Sequence, residues 1–134
     1  MTMKDITEIE NPYNYIENAK KILREKAIKN EGTYKYPKYV KMAGHIAWCG
    51  VLLALDELMN KNNIKIRGRK DIKDYIEFVR KRNRKVLDLL MISYEKLHIF
   101  MGYDGNLSVH HSKIGLESAK DVIDWVNKQL KYTK

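Results

Sequence analysis

Fourteen consecutive residues without a formal charge, from Met42 to Leu55, decide the fold: MAGHIAWCGVLLAL. In the wider stretch from Pro37 to about Asn60, apolar side chains recur every three or four positions, which is the spacing of one helix face. The remaining positions are largely apolar too, at Ile46, Leu53 and Ala54, so this helix is predicted to lie at the centre of a bundle. Its two interior glycines favour the close approach of a neighbouring backbone. The uncharged run is too short to cross a membrane, which needs about 20 apolar residues.

The same periodicity predicts helices on either side of the central one. The other predicted helices cover about residues 12–29, 70–81 and 83–101, with a last helix that begins between Ser108 and Ser112. Thr33 to Pro37 is expected to be a tyrosine-rich connection, and a charged run around Asn83 is expected to separate the third and fourth helices. The predicted fold class is all-α, an antiparallel bundle of four to five helices. We expect a single domain over residues 1–134, with an ordered core of about 12–130.

The net charge of +9 is concentrated in one part of the chain. Residues 61–85 hold eleven bases and three acids, whereas the segments before and after them are nearly balanced. The predicted anion-binding residues are Lys65, Arg67, Arg69, Lys70, Arg80, Arg82, Arg84 and Lys85. Such a patch fits a nucleic acid or another polyanion, an acidic protein partner, or a solvated surface without a ligand.

A second candidate site combines imidazole, phenol and carboxylate groups. His45 belongs to the central helix, while Tyr94 and His98 precede a turn that contains Asp104. Gathered at one end of a bundle, these groups would relay protons or bind a small anion, because histidine titrates near neutral pH. The alternative is a buried polar plug in which the same groups satisfy one another.

Several function classes lack their usual sequence support. No spacing typical of a metal site is present around His110 and His111, and no phosphate-binding glycine loop, dinucleotide fingerprint or nucleophile elbow occurs. We therefore predict no metal and no cofactor. Cys49 is the only cysteine, which excludes an internal disulfide. With no secretory signal visible in the first residues, the expected location is the cytoplasm, without membrane association.

Several short motifs together resemble a known family. They are Tyr39, Ala43-Gly44-His45-Ile46-Ala47, Leu52 with Ala54-Leu55, Tyr94-Glu95-Lys96-Leu97-His98 and Gly102-Tyr103-Asp104-Gly105. The chain resembles a family of small bacterial helical-bundle proteins, a domain of unknown function, with a pattern similar to the HEPN superfamily. The likeness covers roughly residues 12–127.

The resemblance implies an antiparallel bundle, often dimeric, in a superfamily with both nucleotidyltransferase partners and ribonuclease toxins. Its nucleolytic members carry an arginine four to six residues before a histidine. Here the nearest arginine before His98 is Arg84, fourteen positions upstream. We therefore expect a non-enzymatic binding protein that acts as a homodimer or with a protein partner. The alternative is an RNA- or nucleotide-phosphate-binding protein, or a nuclease, that uses the basic segment 61–85.

Overall fold

The chain folds into a helical bundle with one small hairpin, as seen in a computed structural model that describes residues 11–66 and 68–132. The described elements, in chain order, are α1 (Pro12–Ile22), a first π-helical segment (Leu23–Ala27), β1 (Lys29–Asn30), β2 (Thr33–Tyr34), α2 (Pro37–Lys61), α3 (Ile72–Arg80), α4 (Arg84–Ser93), a second π-helical segment (Tyr94–Tyr103) and α5 (Val109–Tyr132). The predicted all-α bundle is confirmed.

Side-chain caps place the helix boundaries near their predicted positions. The Asn83 side chain accepts a hydrogen bond from the backbone N–H of Val86 at 3.0 Å, so the chain breaks there and α4 begins. At the start of α3, Asp71 and Asp74 form a reciprocal capping box. The predicted break between the third and fourth helices is therefore observed.

Two predicted helices end differently from the prediction. The first helix, predicted over residues 12–29, is α-helical only to Ile22 and continues as a π-helix to Ala27. The fourth, predicted over residues 83–101, is α-helical to Ser93 and π-helical from Tyr94 to Tyr103. A π-helix bonds residue i to i+5, which rotates the following side chains relative to an α-helix.

The predicted connection from Thr33 to Pro37 is wrong at its first two residues, which form β2 and pair antiparallel with β1. Glu31 turns the hairpin at a φ of 60°. The hairpin also holds the start of α5, because the Val109 N–H donates to the Gly32 carbonyl at 3.0 Å and the Tyr34 N–H donates to the Leu107 carbonyl at 2.9 Å. The second bond also pairs the backbone N–H of the buried residue Tyr34.

Neighbouring helices run antiparallel and touch where α2 and α5 carry glycine. A Cβ added at Gly44 would lie 2.5 Å from the Met101 Cβ and 2.6 Å from the Leu97 carbonyl oxygen. Gly50 meets Tyr15 of α1 in the same way, and Gly115 of α5 meets Leu97. The prediction that glycines in the central helix allow close backbone approach is thus confirmed.

The central helix α2 contributes more buried residues than any other described element, eleven in all. By length and composition alone, Pro37–Lys61 would also qualify as a membrane span, with a mean hydropathy of 1.3 in its most apolar window. More than half of that window is buried inside the bundle, at 56%. The core helix of a folded bundle has the same composition, because it must be apolar on most of its faces.

The contact at Gly44 predicts a large effect of a single methyl group. We expect Gly44→Ala to reduce the free energy of unfolding. Overpacking usually costs about 1–3 kcal/mol, and the expected loss lies at the upper end of that range. Two of the three nearest atoms are backbone atoms, Leu97 O and Gly102 N, and cannot rotate away. The gain in helix propensity, up to about 1 kcal/mol, does not offset this cost.

Gly32→Ala is the matched control, since an added Cβ at Gly32 meets no atom within 4 Å. Denaturant unfolding of both variants and of the parent checks the prediction. Gly32→Ala is expected to stay within about 0.5 kcal/mol of the parent. Equal stability of the two variants would contradict the packing that we describe.

Candidate functional site

Two of the four residues predicted for the proton-relay site line one open pocket. Its volume is about 350 Å³, within the usual range of small-molecule sites, roughly 300–1,000 Å³. The lining residues are Trp48, Leu52, Arg69, Lys70, Asp71, Ile72, Tyr75, Tyr94 and His98. Aromatic and basic side chains make up six of these nine residues, so we call it the aromatic-basic pocket and refer to the two groups as its aromatic side and its basic side.

The aromatic side of this pocket is a cluster of rings in mutual contact. The ring centroids of Trp48 and Tyr94 are 5.5 Å apart, and those of Tyr94 and His98 are 5.4 Å apart. His98 also contacts Trp48 at 5.9 Å and Tyr103 at 5.4 Å. Tilted and edge-to-face arrangements at these distances are favourable for aromatic pairs. The rings therefore hold each other in place, and those of Trp48, Tyr94 and His98 line the pocket.

The π-helical backbone positions these rings. Tyr94 and His98 belong to the second π-helical segment, whose end is marked by the Asp104 N–H donating to the Ile99 carbonyl at 2.9 Å, an i to i+5 bond. The wider turn makes Leu97 and Met101 the buried side of the segment, while Tyr94 and His98 stay half-buried at the pocket. Short π-helices occur frequently at functional sites.

The basic side of the pocket is anchored by Asp56 of α2. One oxygen of its carboxylate accepts hydrogen bonds from both Lys70 Nζ and the Tyr75 hydroxyl, each at 2.8 Å. This arrangement fixes the chain just before α3 beside the ring cluster. Burial and the hydrogen bond to Asp56 both raise the pKa of Tyr75, so its phenol stays protonated. Arg69, which comes immediately before Lys70, is exposed at the pocket.

The two histidines near the pocket interact electrostatically. The pKa of His98 is lowered, first by burial and second by the charge of nearby His45. His98 is therefore neutral near pH 7. His45 itself is exposed, and its Nε2 lies 3.9 Å from the Cys49 Sγ. Burial raises the pKa of the Cys49 thiol, which favours the protonated, unreactive form.

Asp104 does not join the rings. It is exposed and follows the end of the second π-helical segment. Among residues 11–66 and 68–132, no carboxylate contacts the imidazole of His45 or His98. Three aromatic residues that we did not predict belong to the site. Trp48 and Tyr75 line the pocket, and Tyr103 contacts His98. The helical spacing of Trp48 predicts a core position, and its side chain is indeed buried, with 5% relative exposure.

The predicted anion-binding residues are spread over three places. Arg69 and Lys70 line the aromatic-basic pocket. At the other end of α3, Arg80 pairs with Glu77, and the Arg82 guanidinium lies 3.8 Å above the Phe78 ring. Lys65 is exposed before α3, and Arg84 and Lys85 are exposed in the first turn of α4. Arg67 lies outside the described residues. Anion binding by this segment stays a prediction.

The described part of the chain contains no group of three or more histidine, cysteine, aspartate or glutamate side chains arranged to hold a metal ion. The aromatic-basic pocket offers flat aromatic surfaces, a neutral imidazole, two cations and the carboxylate of Asp71, which already caps α3. These groups suit a ligand that combines a planar ring with negative charge.

Comparison with known proteins identifies relatives without assigning a role. Residues 7–128 match the model of a family described as a domain of unknown function, DUF5618. A solved structure of a protein of unknown function from Dyadobacter fermentans is 36% identical, with a TM-score of 0.82, and the match covers 97% of this chain and 99% of that chain. No curated protein matches significantly. The predicted resemblance to a family of unknown function is confirmed; neither description mentions HEPN proteins, so that likeness stays an interpretation.

The lowered pKa of His98 predicts how stability depends on pH. In the unfolded chain the pKa of His98 is about 6.5. The folded protein binds this proton less readily, because the pKa of His98 is lowered there. The contribution of neutral His98 to stability is fully present above that pH, and it is lost as the pH falls through the pKa of the folded state. We expect urea unfolding to show a smaller acid-induced loss of stability in His98→Gln than in the parent.

His110→Gln is the control, because His110 is exposed and lies outside the pocket. An NMR titration gives the direct measurement: the pKa of His98 should lie below its ordinary value and should rise in His45→Gln, which removes the nearby charge. A His98 pKa at or above about 6.5 would contradict the burial that we describe.

Proposed function

Because the chain belongs to the DUF5618 family, a domain of unknown function, we propose its function from its own geometry: it is a non-enzymatic protein that binds a nucleotide unit, free or within single-stranded RNA. The observation that carries this proposal is the pocket lined both by the rings of Trp48, Tyr94 and His98 and by the cations Arg69 and Lys70. We place this activity in the cytoplasm.

The ring cluster supplies the surface on which a base stacks. Stacking of a base on an aromatic side chain contributes about 1–3 kcal/mol and tolerates any sequence, since every base has a flat face. Tyr94 and His98 are half-buried and line the pocket, so their rings are held in place yet reachable. A preorganised ring costs little conformational entropy when the ligand binds.

The basic side supplies the partner of a phosphate. The Arg69 guanidinium is a planar fork that binds phosphate in a bidentate manner. Lys70 is held by Asp56 at 2.8 Å, which fixes its position and offsets part of its charge. We therefore assign the phosphate contact mainly to Arg69, with Lys70 contributing to the local potential.

The surroundings of His98 support binding rather than catalysis. A general base is commonly oriented by a third group, often a carboxylate, whereas the ring of His98 contacts the rings of Trp48, Tyr94 and Tyr103. Asp104, the predicted carboxylate, is not in contact with it. The arginine spacing of nucleolytic HEPN proteins is also missing from the sequence.

Binding of a short single-stranded RNA tests the proposal. We expect a fluorescence titration with an oligouridylate of about 8 nucleotides, a length that small binding sites cover, to show saturable binding that weakens as salt rises. Tyr94→Leu should weaken binding by about tenfold, within the range for loss of one stacked base. Uridine monophosphate in the same assay separates a free nucleotide from a strand.

Arg69→Gln and Arg84→Gln form a matched pair. Both remove one positive charge from an exposed arginine of the basic segment, but only Arg69 lines the pocket. Arg69→Gln should reduce affinity several-fold more than Arg84→Gln and should flatten the salt dependence more. Equal effects of the two substitutions would refute the pocket as the binding site, and no binding at low salt would refute the function.

Self-association is a second candidate, favoured by exposed apolar side chains near the pocket. Tyr103, which contacts His98, is 70% exposed, and Met42, one helical turn before His45, is 43% exposed. The contact of Gly44 with Gly102 brings these two side chains to the same end of the bundle. A homodimer through this end would cover both side chains from water.

Sedimentation velocity over a range of concentrations tests the dimer. We expect a concentration-dependent dimer in the parent and a shift towards monomer in Met42→Ser/Tyr103→Ser. Ile28→Asn is the control, because Ile28 is equally apolar and 47% exposed but belongs to the chain just before the hairpin. A parent that stays monomeric at high concentration would rule out this candidate.

A further inference from the structure

A second pocket lies between α1 with its π-helical segment, the hairpin and α5. Its volume is about 480 Å³, larger than that of the aromatic-basic pocket, and the two share no lining residue. Its walls and floor are formed by Leu23, Tyr34, Val109, Ser112 and Leu116. We call it the α1/α5 groove. Its size is within the range of small-molecule sites, roughly 300–1,000 Å³.

The interior of the α1/α5 groove favours an apolar group. Leu23 and Leu116 are buried side chains that present aliphatic surface to it. The two hydroxyls of the floor already use their protons: Ser112 Oγ donates to the Val109 carbonyl at 2.9 Å, so the Tyr34 hydroxyl, 3.1 Å from Ser112 Oγ, is the donor to that oxygen. A polar group placed there would find no free hydroxyl donor, and burial without a partner is unfavourable.

The rim of the groove favours a negative charge. It carries five basic side chains and one acidic one: Lys20, Arg24, Lys29, Lys113, Lys120 and Glu117. A cleft lined by charges of one sign concentrates oppositely charged ligands. Charge counted along the chain does not reveal this cluster, because its members come from segments that are far apart in sequence.

Two of these cations have acidic partners, and three do not. Lys20 lies 3.6 Å from Glu17, and Lys120 lies 3.4 Å from Asp124, both in exposed pairs that contribute little. Arg24, Lys29 and Lys113 form no ion pair with the described residues. These three cations therefore have no direct ion-pair partner among the described residues, and Glu117 is the one carboxylate in the rim beside them.

We propose that the α1/α5 groove binds an aliphatic carboxylate of medium chain length. The chain lies against Leu23, Val109 and Leu116, and the carboxylate is held at the rim by Arg24 and Lys113. An arginine fork binds a carboxylate through two parallel hydrogen bonds. This site does not depend on the nucleotide proposal, since no residue is shared between the two pockets.

Calorimetric titration of the full chain with decanoate, below the concentration at which it forms micelles, tests the proposal. Decanol lacks the charge and acetate lacks the chain, so both should bind at least about tenfold more weakly if the groove recognises both parts. Decanol binding as tightly as decanoate, or no binding of decanoate, would overturn the proposal. So would retention on anionic phospholipid vesicles without binding of monomeric decanoate, which would indicate a membrane surface as the ligand.

The location is tested by two double variants of equal charge. Arg24→Gln/Lys113→Gln changes the rim and should weaken decanoate binding at least about tenfold. Lys21→Gln/Lys26→Gln changes two exposed residues outside the groove and should leave the affinity within about twofold. Methyl NMR shifts on addition of decanoate should appear at Leu23, Val109 and Leu116. Shifts confined to the aromatic-basic pocket, or equal effects of the two variants, would refute the α1/α5 groove.

Discussion

The close contact of α2 with the second π-helical segment at Gly44 is the constraint on which the aromatic-basic pocket depends. At this point the α2 backbone lies so near Leu97 and Met101 that no Cβ fits. Because the two elements run antiparallel, Trp48, one turn further along α2, meets Tyr94 and His98 at ring distances below 6 Å. A larger residue at position 44 would separate the elements and with them the rings, because packed interiors have little room to deform.

The second π-helical segment contributes Tyr94 and His98 to the pocket. Helical spacing places Val86, Leu90, Tyr94 and Leu97 on one apolar stripe, and three of these four are buried as that spacing indicates. Tyr94 instead lies at the pocket, and Ser93 takes the buried position with its hydroxyl donating to the Leu89 carbonyl at 2.9 Å. Val86, Leu90, Ser93 and Leu97 are spaced four, three and four residues apart, which is the ordinary spacing of one α-helix face. Apolarity alone favoured Tyr94 over Ser93 for the buried face, because a serine whose hydroxyl bonds to its own helix can be buried without an apolar side chain.

The sequence predicted the helical elements better than the site. Apolar spacing was sufficient for α2, and the capping side chain of Asn83 explains why the break before α4 was visible. The hairpin was missed because each strand has only two residues, too few for an alternating pattern. For the site, Tyr94 and His98 lie together as predicted, whereas Asp104 lies apart from them. Proximity in sequence to the turn does not determine the direction of a side chain. Trp48 shows the opposite difficulty: one side chain is both part of the core and part of the pocket wall.

The distribution of charged side chains in the fold shows most clearly what the order of residues in the sequence does not predict. Counted along the chain, nearly all of the excess of positive charge belongs to residues 61–85, and the fold disperses those side chains between a pocket, ion pairs and the start of α4. The cations around the α1/α5 groove come from the two segments that are nearly balanced in sequence. Among the described acidic residues only Glu117 lines the groove, so nearly neutral segments combine into a locally basic rim. Local potential depends on which side chains share a cleft, and for this chain that is decided by the antiparallel packing of α1 against α5.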